Sequence, residues 1–393
     1  MKKLVLIAAL GFSVLGFAQK DEMKTLKKIY DKDEISTEQL EDYKMAITSL
    51  SSMNLEEDDK VYFEYFKSLV PLADLKLKGK VSKAVDMITV LNRENLSILG
   101  ASFKAVLDYE KKTGKEKYTA DIKDIKDKFL PDMKASAFDL NGKKQFKAAS
   151  ELFYSMYLFD KEDFASLENS AITAVQAEDM VFAESRYKDL LDSGYTAEGT
   201  NYYAINIASG SEESFNSAVQ RSMFIAAKTH NTPRDEKKAS KRPEFARMYA
   251  IILNQNKKVD LAIDAYKLAI ELNPDDSEMR INYAALYYGK GEMETYKTIL
   301  EDAIKIDPNN PKIYFNIGYS SLNGEQALVD EINKNISNKK KFDELVAQRN
   351  DLYVKVLPYF EKAYELDPTD ANTISILKYS YKVLKMDDKA AKL

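Results

Sequence analysis

The feature that most constrains the fold is a proline-containing octet that occurs three times. The octets read AIELNPDD from Ala269, AIKIDPNN from Ala303 and AYELDPTD from Ala363. Pro308 follows Pro274 after about 34 residues, a period typical of stacked helical hairpins. Proline ends a helix because it lacks an N–H group and disfavours helix in the residue before it. Each octet therefore predicts the end of one helix and the start of the next.

The third octet follows at a longer interval, because the chain contains an insertion. Pro368 follows Pro308 at nearly twice the period that separates the first two prolines. The surplus lies near residues 323–351, and its sequence favours helix throughout. We expect it to lengthen the third hairpin, and we expect Pro358, on the second helix of that hairpin, to bend that helix.

The spacing of small and large residues resembles that of the tetratricopeptide repeat family, whose unit of about 34 residues is a pair of antiparallel helices. Units that start at Pro243, Ser277 and Pro311 place small residues where helices pack closely and large residues between hairpins. The residues that carry the resemblance are Tyr249, Ala250, Ala262, Tyr266, Ala269, Tyr283, Ala284, Leu300, Ala303, Ile317, Gly318, Phe360 and Ala363. Tyr296 departs from the pattern, because it stands at a position that is usually small.

The resemblance implies an all-α fold. We expect a right-handed superhelical solenoid of antiparallel helix pairs with essentially no strand, degenerate N-terminal hairpins and an extended helical insertion in a C-terminal repeat. Weaker hairpins begin at residues 130 and 164, and a further one, with a displaced register, would begin at Glu198. The residues at the repeat positions of the two weaker hairpins are Ala137, Ala149, Phe153, Leu167, Ala171, Ala183, Tyr187 and Leu190.

Five segments follow from these patterns. Residues 1–18 are expected to be a signal peptide, 19–129 an N-terminal helical region of degenerate repeats, and 130–230 repeat-like hairpins. Residues 231–242 are expected to be a linker loop, since they are charged, contain proline and show no apolar period. Residues 243–393 form the C-terminal repeat array, which carries the insertion and ends in a capping helix.

The first residues predict export. Lys2 and Lys3 precede an apolar run over residues 4–15, and the small residues Gly16 and Ala18 follow, which is the layout of a secretory signal. The run is short for a bilayer span, which takes about 20 residues. We therefore expect an exported protein, periplasmic or secreted, of a Gram-negative bacterium, with no transmembrane segment in the mature chain. The chain has no Cys, so we expect no lipid anchor at a cysteine.

Composition and motifs give no support for catalysis or for nucleic acid binding. The chain has 58 basic and 63 acidic residues, interleaved, with a net charge of -5, so no basic surface is predicted. The single histidine, His230, is expected at the surface beside the proline-containing loop, and a single histidine excludes metal motifs that need several. No phosphate-binding glycine loop or nucleophile elbow appears. We therefore expect no enzyme activity, no cofactor and no metal.

Two functions remain open. The first is a non-enzymatic scaffold that binds a protein or peptide through the concave face of the repeats. The alternative is a carbohydrate- or nutrient-uptake binding protein of the cell envelope, because such proteins in some Gram-negative bacteria also carry these repeats. Those proteins usually have a lipid-anchored Cys and often use Trp to stack on sugars, and this chain contains neither residue.

The resemblance also implies where a partner binds. In the family, the first helix of each hairpin faces the concave surface. The groove candidates that this implies are Arg247, Asn282, Tyr288, Lys312, Phe315, Asn316, Tyr319 and Tyr379. Arg247, Asn282 and Lys312 partly match a row with which some members bind a terminal carboxylate, but Ile251 and Asn316 interrupt that row. We therefore expect a mixed groove of cations, amides and aromatic side chains rather than a true carboxylate clamp.

Overall fold

The chain is represented by a computed structural model, which describes residues 19–77 and 91–393. The chain divides into two compact units, Met1–Leu190 and Leu191–Leu393. About 72% of the described residues are helical. The predicted signal peptide over residues 1–18 lies outside the described residues.

Consecutive helices make up the described part of the first unit. They are α1 (19–30), α2 (Thr37–Ser51), α3 (Glu57–Ser68), α4 (Val70–Leu75), α5 (Arg93–Thr113), α6 (Thr119–Gly142), α7 (Phe146–Phe159), α8 (Phe164–Gln176) and α9 (Met180–Asp192). One hydrophobic core joins α1–α5 with α6 and the end of α7, and another joins α6 to α7. Capping explains local starts such as that of α2, where the Ser36 hydroxyl accepts from the Gln39 backbone N–H at 3.2 Å.

Helices and a small sheet make up the second unit. Its elements are β1 (Gly199–Asn206), β2 (Glu212–Phe215), α10 (Ala218–Ala226), β3 (His230–Lys238), α11 (Arg242–Gln255), α12 (Val259–Leu272), α13 (Ser277–Lys290), α14 (Met293–Ile306), α15 (Pro311–Ser321), α16 (Glu325–Lys334), α17 (Lys339–Leu366), α18 (Ala371–Val383) and α19 (Asp387–Ala390). From α11 to α15 each helix packs against the next, then α15 packs against α17, and α17 against α18. This is the arrangement of stacked helix pairs that the sequence predicts.

The turns after the octet prolines start the next helices. Asp276 accepts from the Met279 backbone N–H at 2.9 Å, and Asp370 accepts from the Thr373 backbone N–H at 2.8 Å. Asn310 caps α15, with Pro311 in its first turn, as the sequence predicts. The repeated octets therefore encode both the end of one helix and the cap of the following one.

A backbone feature repeats at the same place in several hairpins. The turn between the two helices contains a residue with positive φ: Lys144 (58°), Glu178 (57°), Lys257 (60°) and Gly291 (78°). Lys144 and Glu178 lie one repeat period apart in the sequence, as do Lys257 and Gly291. Because positive φ is uncommon outside glycine, its recurrence at one repeat position shows that the two weak hairpins share the turn geometry of the clear repeats.

The residues that carry the repeat pattern are in the cores. Ala250, Ala262, Ala284 and Gly318 are buried, and Tyr296 is buried although it is large. Tyr249 and Tyr283 are half-buried and pack against the core formed by α11–α13. In the weak hairpins the eight residues at the repeat positions are all buried. The structure therefore confirms the predicted repeat register at these positions, because their residues pack in the cores.

The insertion is helical, as the sequence predicts. It forms α16 and extends the second helix of the third hairpin, α17, which begins at Lys339 and runs to Leu366. A short turn over residues 335–338 separates the two helices. Pro358 lies inside α17, and its bend remains a prediction.

A three-stranded antiparallel sheet corrects the sequence prediction for residues 198–242. Its order is β2-β1-β3, with Tyr203 opposite Arg234. The expectations of essentially no strand, of a helical hairpin from Glu198 and of a linker loop over residues 231–242 are therefore wrong here. The reason is that β3 is an edge strand whose residues after His230 are all exposed, so it has no apolar alternation.

His230 is buried, so the prediction of a surface position is also wrong. The residue is 4% exposed, and the rings of Phe215 and Phe224 meet its ring edge-on at 5.2 and 5.3 Å. Its Nε2 lies 2.9 Å from a Glu213 carboxylate oxygen and its Nδ1 lies 3.0 Å from the Thr229 hydroxyl. The hydrogen bond to Glu213 holds the pKa of that carboxyl below its usual value. The histidine thus joins α10 to the sheet.

Candidate partner-binding surface

The groove candidates lie on the first helices of the C-terminal hairpins. α11 carries Arg247, α13 carries two candidates, α15 carries four and α18 carries Tyr379. All 25 tyrosines lie in the described residues, and the exposed ones are Tyr288 (44%), Tyr319 (54%) and Tyr379 (45%). The other tyrosines are buried or half-buried. The exposed tyrosines are therefore the same three that the sequence predicts for partner binding.

Tyr319 is supported by a stack of aromatic rings. The Phe315 ring lies parallel to it, with centroids 5.7 Å apart and an angle of 12° between the ring planes. Phe315 is half-buried and meets the buried ring of Phe360 edge-on at 6.0 Å. Phe315 and Tyr319 lie one turn apart on α15, so their side chains share a face. This part of the predicted surface is brought together and held in place from below.

Tyr288 rests on the residue that departs from the repeat pattern. Its ring centroid lies 5.3 Å from that of Tyr296, which is buried. Burial raises the pKa of Tyr296 to about 12, so this phenol is neutral at physiological pH. The large residue at a usually small position therefore supports an exposed ring on the preceding helix.

Tyr379 is held by the insertion, which the sequence did not reveal. Arg349 donates through Nη2 to the Tyr379 hydroxyl at 2.7 Å and through Nε to the Glu325 carboxylate at 2.6 Å. Burial alone would lower the pKa of Arg349, but the hydrogen bond to Glu325 and its charge raise it. Glu325 and Arg349 lie on different helices, 24 residues apart, so no local sequence pattern connects them.

The polar candidates are more dispersed. Arg247, Asn282 and Asn316 are half-buried, and Lys312 is exposed. Within residues 19–77 and 91–393, no hydrogen bond joins Arg247, Asn282 and Lys312 to one another. Arg247 lies near Tyr266, where its charge partly offsets the effect of burial, which raises the pKa of that phenol. The structure therefore brings the aromatic candidates into contact with supporting groups, whereas the three polar candidates do not form a cluster.

An open cleft of ≈ 600 Å³ lies between α16 and α17. Ala327, Leu328 and Leu352 supply apolar lining, and Glu331 and Lys355 are among its polar residues. The described part of the chain contains no group of three or more side chains arranged to hold a metal ion. None of its helices is both long enough and apolar enough to cross a membrane.

The stacked helix pairs α11 to α18 give the second unit the architecture of a helical repeat, with three exposed tyrosines on its first helices. A model of the tetratricopeptide repeat family matches residues 248–276 and 277–310. The chain therefore contains tetratricopeptide repeats over residues 248–310, as the resemblance implies. Repeats of this family are typical of scaffolds for protein–protein interaction.

Solved structures with similar folds are distant. YrrB, described as a TPR protein with an unusual peptide-binding site, is 14% identical, with 67% of this chain and 98% of that chain covered and a TM-score of 0.39. A thermophilic TPR protein of Thermus thermophilus is 14% identical, with 64% and 97% covered and a TM-score of 0.30. A tetratricopeptide repeat protein of Parabacteroides merdae ATCC 43184 is 13% identical, with 58% and 76% covered and a TM-score of 0.30. The search of curated proteins gave no match.

Proposed function

We propose that this protein is a non-enzymatic scaffold that binds an extended segment of a partner protein across the first helices α11, α13, α15 and α18. The observation that carries this proposal is that the three exposed tyrosines, Tyr288, Tyr319 and Tyr379, lie on successive first helices. Buried tyrosines on second helices, such as Tyr266 and Tyr296, provide the contrast. A row of large side chains left outside the cores is a surface suited to partner contact.

The supporting contacts favour tight binding by these side chains. Phe315 stacks beneath Tyr319, Tyr296 lies against Tyr288, and Arg349 holds the hydroxyl of Tyr379. A side chain that is already held in place loses little conformational entropy when a partner binds. Tyrosine also combines a large apolar ring with a hydroxyl, so it contacts both the side chains and the backbone of an extended segment.

Removing the three rings is expected to remove the partner. The variant Tyr288→Ala, Tyr319→Ala, Tyr379→Ala should capture at least about tenfold less partner in a crosslinked pull-down from envelope extract, since one interface hot spot contributes about 2 kcal/mol or more. The measurement is quantitative mass spectrometry of proteins captured by residues 19–393 of the wild type and the variant. Circular dichroism and the melting temperature of each protein verify the fold.

A matched control replaces exposed apolar residues on second helices of the same unit. Leu261, Ile306 and Val354 lie on α12, α14 and α17 and are exposed. Changing all three to Ala should leave capture unchanged, while Arg247→Ala, Asn282→Ala, Lys312→Ala should reduce it by a smaller amount. If the tyrosine variant is folded and keeps every partner of the wild type, the groove assignment is wrong.

We also propose that the protein is exported, on the basis of the charged, apolar and small residues of positions 1–18. Signal peptidase cleavage after Ala18 would leave Gln19 at the N-terminus. Intact-mass measurement of the protein purified from cell envelopes should show a chain without residues 1–18. Detection of intact Met1 in the mature protein would contradict export by this route.

A further inference from the structure

A second surface with recognisable chemistry lies in the first unit. It is formed by Arg93 at the start of α5, Tyr154 and Tyr157 on α7, Lys161 in the turn that follows, and Arg186 on α9. We call these five residues the cation–tyrosine surface. None of them belongs to the tyrosine row of the second unit.

The cations of this surface lie against aromatic rings. The guanidinium carbon of Arg186 is 3.2 Å from the ring centroid of Tyr154, and that of Arg93 is 4.8 Å from the same centroid. The rings of Tyr154 and Tyr157 are 5.9 Å apart, and the Lys161 ammonium lies 4.5 Å from the Tyr157 ring centroid. Cation–π contacts hold all three charges on one continuous aromatic surface.

Arg186 is the unusual member of this set. Its residue is 3% exposed, and its Nε is one of the few buried polar atoms without a hydrogen-bond partner in the described part of the chain. Its Nη1 donates a hydrogen bond to the Ser185 hydroxyl at 2.7 Å, and the charges of Asp189 and Asp179 act on the guanidinium without forming an ion pair with it. Burial lowers the pKa of Arg186. The neighbouring Tyr154 raises that pKa, and the positive charge of Arg93 lowers it further. A buried guanidinium that serves packing alone is normally paired with a carboxylate.

The carboxylates near this surface act on Arg186 and Lys161. Asp189 accepts a hydrogen bond from the Tyr154 hydroxyl at 3.1 Å, and its charge acts on Tyr157, Lys161 and Arg186. Two other carboxylates nearby have cation partners: Asp160 pairs with Lys126 at 2.9 Å and Asp179 with Lys147 at 3.6 Å. Asp179 also acts on Arg186, so the buried guanidinium has two carboxylates near it, whereas Arg93 and Lys161 form no ion pair with a described carboxylate. Of the other acids in the turn, Glu162 is exposed, and Asp163 caps α8 by accepting from the Ser166 backbone N–H at 3.0 Å.

We infer that the cation–tyrosine surface is a docking site for an acidic segment of a partner protein. Carboxylate side chains of the segment would pair with the two accessible cations, Arg93 and Lys161, and arginine binds carboxylates with two parallel hydrogen bonds. The tyrosine rings would contact the aliphatic part of each acidic side chain. The half-buried rings keep Arg93 and Lys161 in place, so little entropy is lost when the segment binds.

The test uses a fluorescein-labelled, glutamate-rich peptide with an amidated C-terminus, titrated with the protein and followed by fluorescence anisotropy. The amide removes the terminal carboxylate, so binding reports acidic side chains. We expect saturable binding that weakens as salt is added, and no binding of the same peptide with glutamine in place of glutamate. Arg93→Gln with Lys161→Gln should weaken binding about tenfold, because a charge-assisted hydrogen bond is lost at each site.

The matched control is Lys112→Gln with Lys143→Gln, which removes the same charge from lysines that pair with Glu57 and Asp139. It should change the affinity by less than about twofold, since exposed ion pairs contribute little. Equal weakening in both double variants, binding of the glutamine peptide, or absence of binding by the wild type would each overturn the inference. The tyrosine variant of the second unit should bind the acidic peptide like the wild type, so this site and the proposed groove are tested separately.

Discussion

Replacing Gly100 with Ala is expected to lower the free energy of unfolding of the first unit by about 3 kcal/mol, the upper end of the usual range for overpacking. A Cβ atom at Gly100 would overlap the carbonyl oxygen of Leu158 and lie 2.9 Å from that of Phe159. These are backbone atoms of the last turn of α7, and the buried ring of Phe159 packs 5.8 Å from that of Phe103. The obstacle therefore moves only if α7 moves away from α5. Urea unfolding followed by circular dichroism measures the effect.

The matched control is Gly142→Ala, at the end of α6. A Cβ at Gly142 meets no atom within 4 Å. Because Ala has a higher helix propensity than Gly, this change should leave the stability unchanged or raise it by up to about 1 kcal/mol. Equal stabilities of the two variants would show that α5 and α7 do not pack as closely as described.

The helix pairs could be predicted because their sequence and their packing have the same period. Ala250 and Ala284 lie one repeat period apart in the sequence, and both are fully buried. A core position restricts side-chain size, so a small residue recurs wherever two helices approach closely. In the weak hairpins the octet prolines are absent, yet Ala137 and Ala171 are buried at the same spacing.

The sheet could not be predicted, because its edge strand β3 has no buried face that would produce an alternating sequence pattern. A strand alternates in polarity when one of its faces is buried, and β3 after His230 is exposed throughout. Its charged residues make contacts across the sheet instead: Arg234 pairs with Glu212 at 2.8 Å and stacks over Tyr203 at 4.3 Å. Such pairs leave no repeating signal in the sequence.

The candidate surfaces were only partly predictable, for a similar reason. The repeat register gives the helix face of each residue, and it identified Tyr288, Tyr319 and Tyr379. It gives no information on contacts between residues far apart in the chain. Arg349 reaches Tyr379 across 30 residues, and the inferred acidic-segment site joins residues of α5, α7 and α9. Contacts of this kind could be identified only from the structure.

Gly318→Leu is expected to lower the free energy of unfolding of the second unit by about 1 to 3 kcal/mol. A Cβ at Gly318 would lie 2.8 Å from Cε1 of the Phe360 ring, which is fully buried. The ring must shift to admit any side chain, and Phe315 and the core of α17–α19 limit that shift. A leucine adds three further heavy atoms to this contact. Urea unfolding of the full chain, followed by circular dichroism, measures the loss.

Gly289→Leu is the control for this change, since a Cβ at Gly289 on α13 meets no atom within 4 Å. It should be neutral or slightly stabilising, because leucine favours helix more than glycine does. If Gly318→Leu unfolds at the same urea concentration as the wild type, Phe360 does not pack against Gly318 and the register of the third hairpin is wrong. The positions of Phe315 and Tyr319 are counted from the same register. If that register is wrong, the assignment of Phe315 and Tyr319 to the proposed groove is also wrong, whatever the pull-down shows for Tyr288.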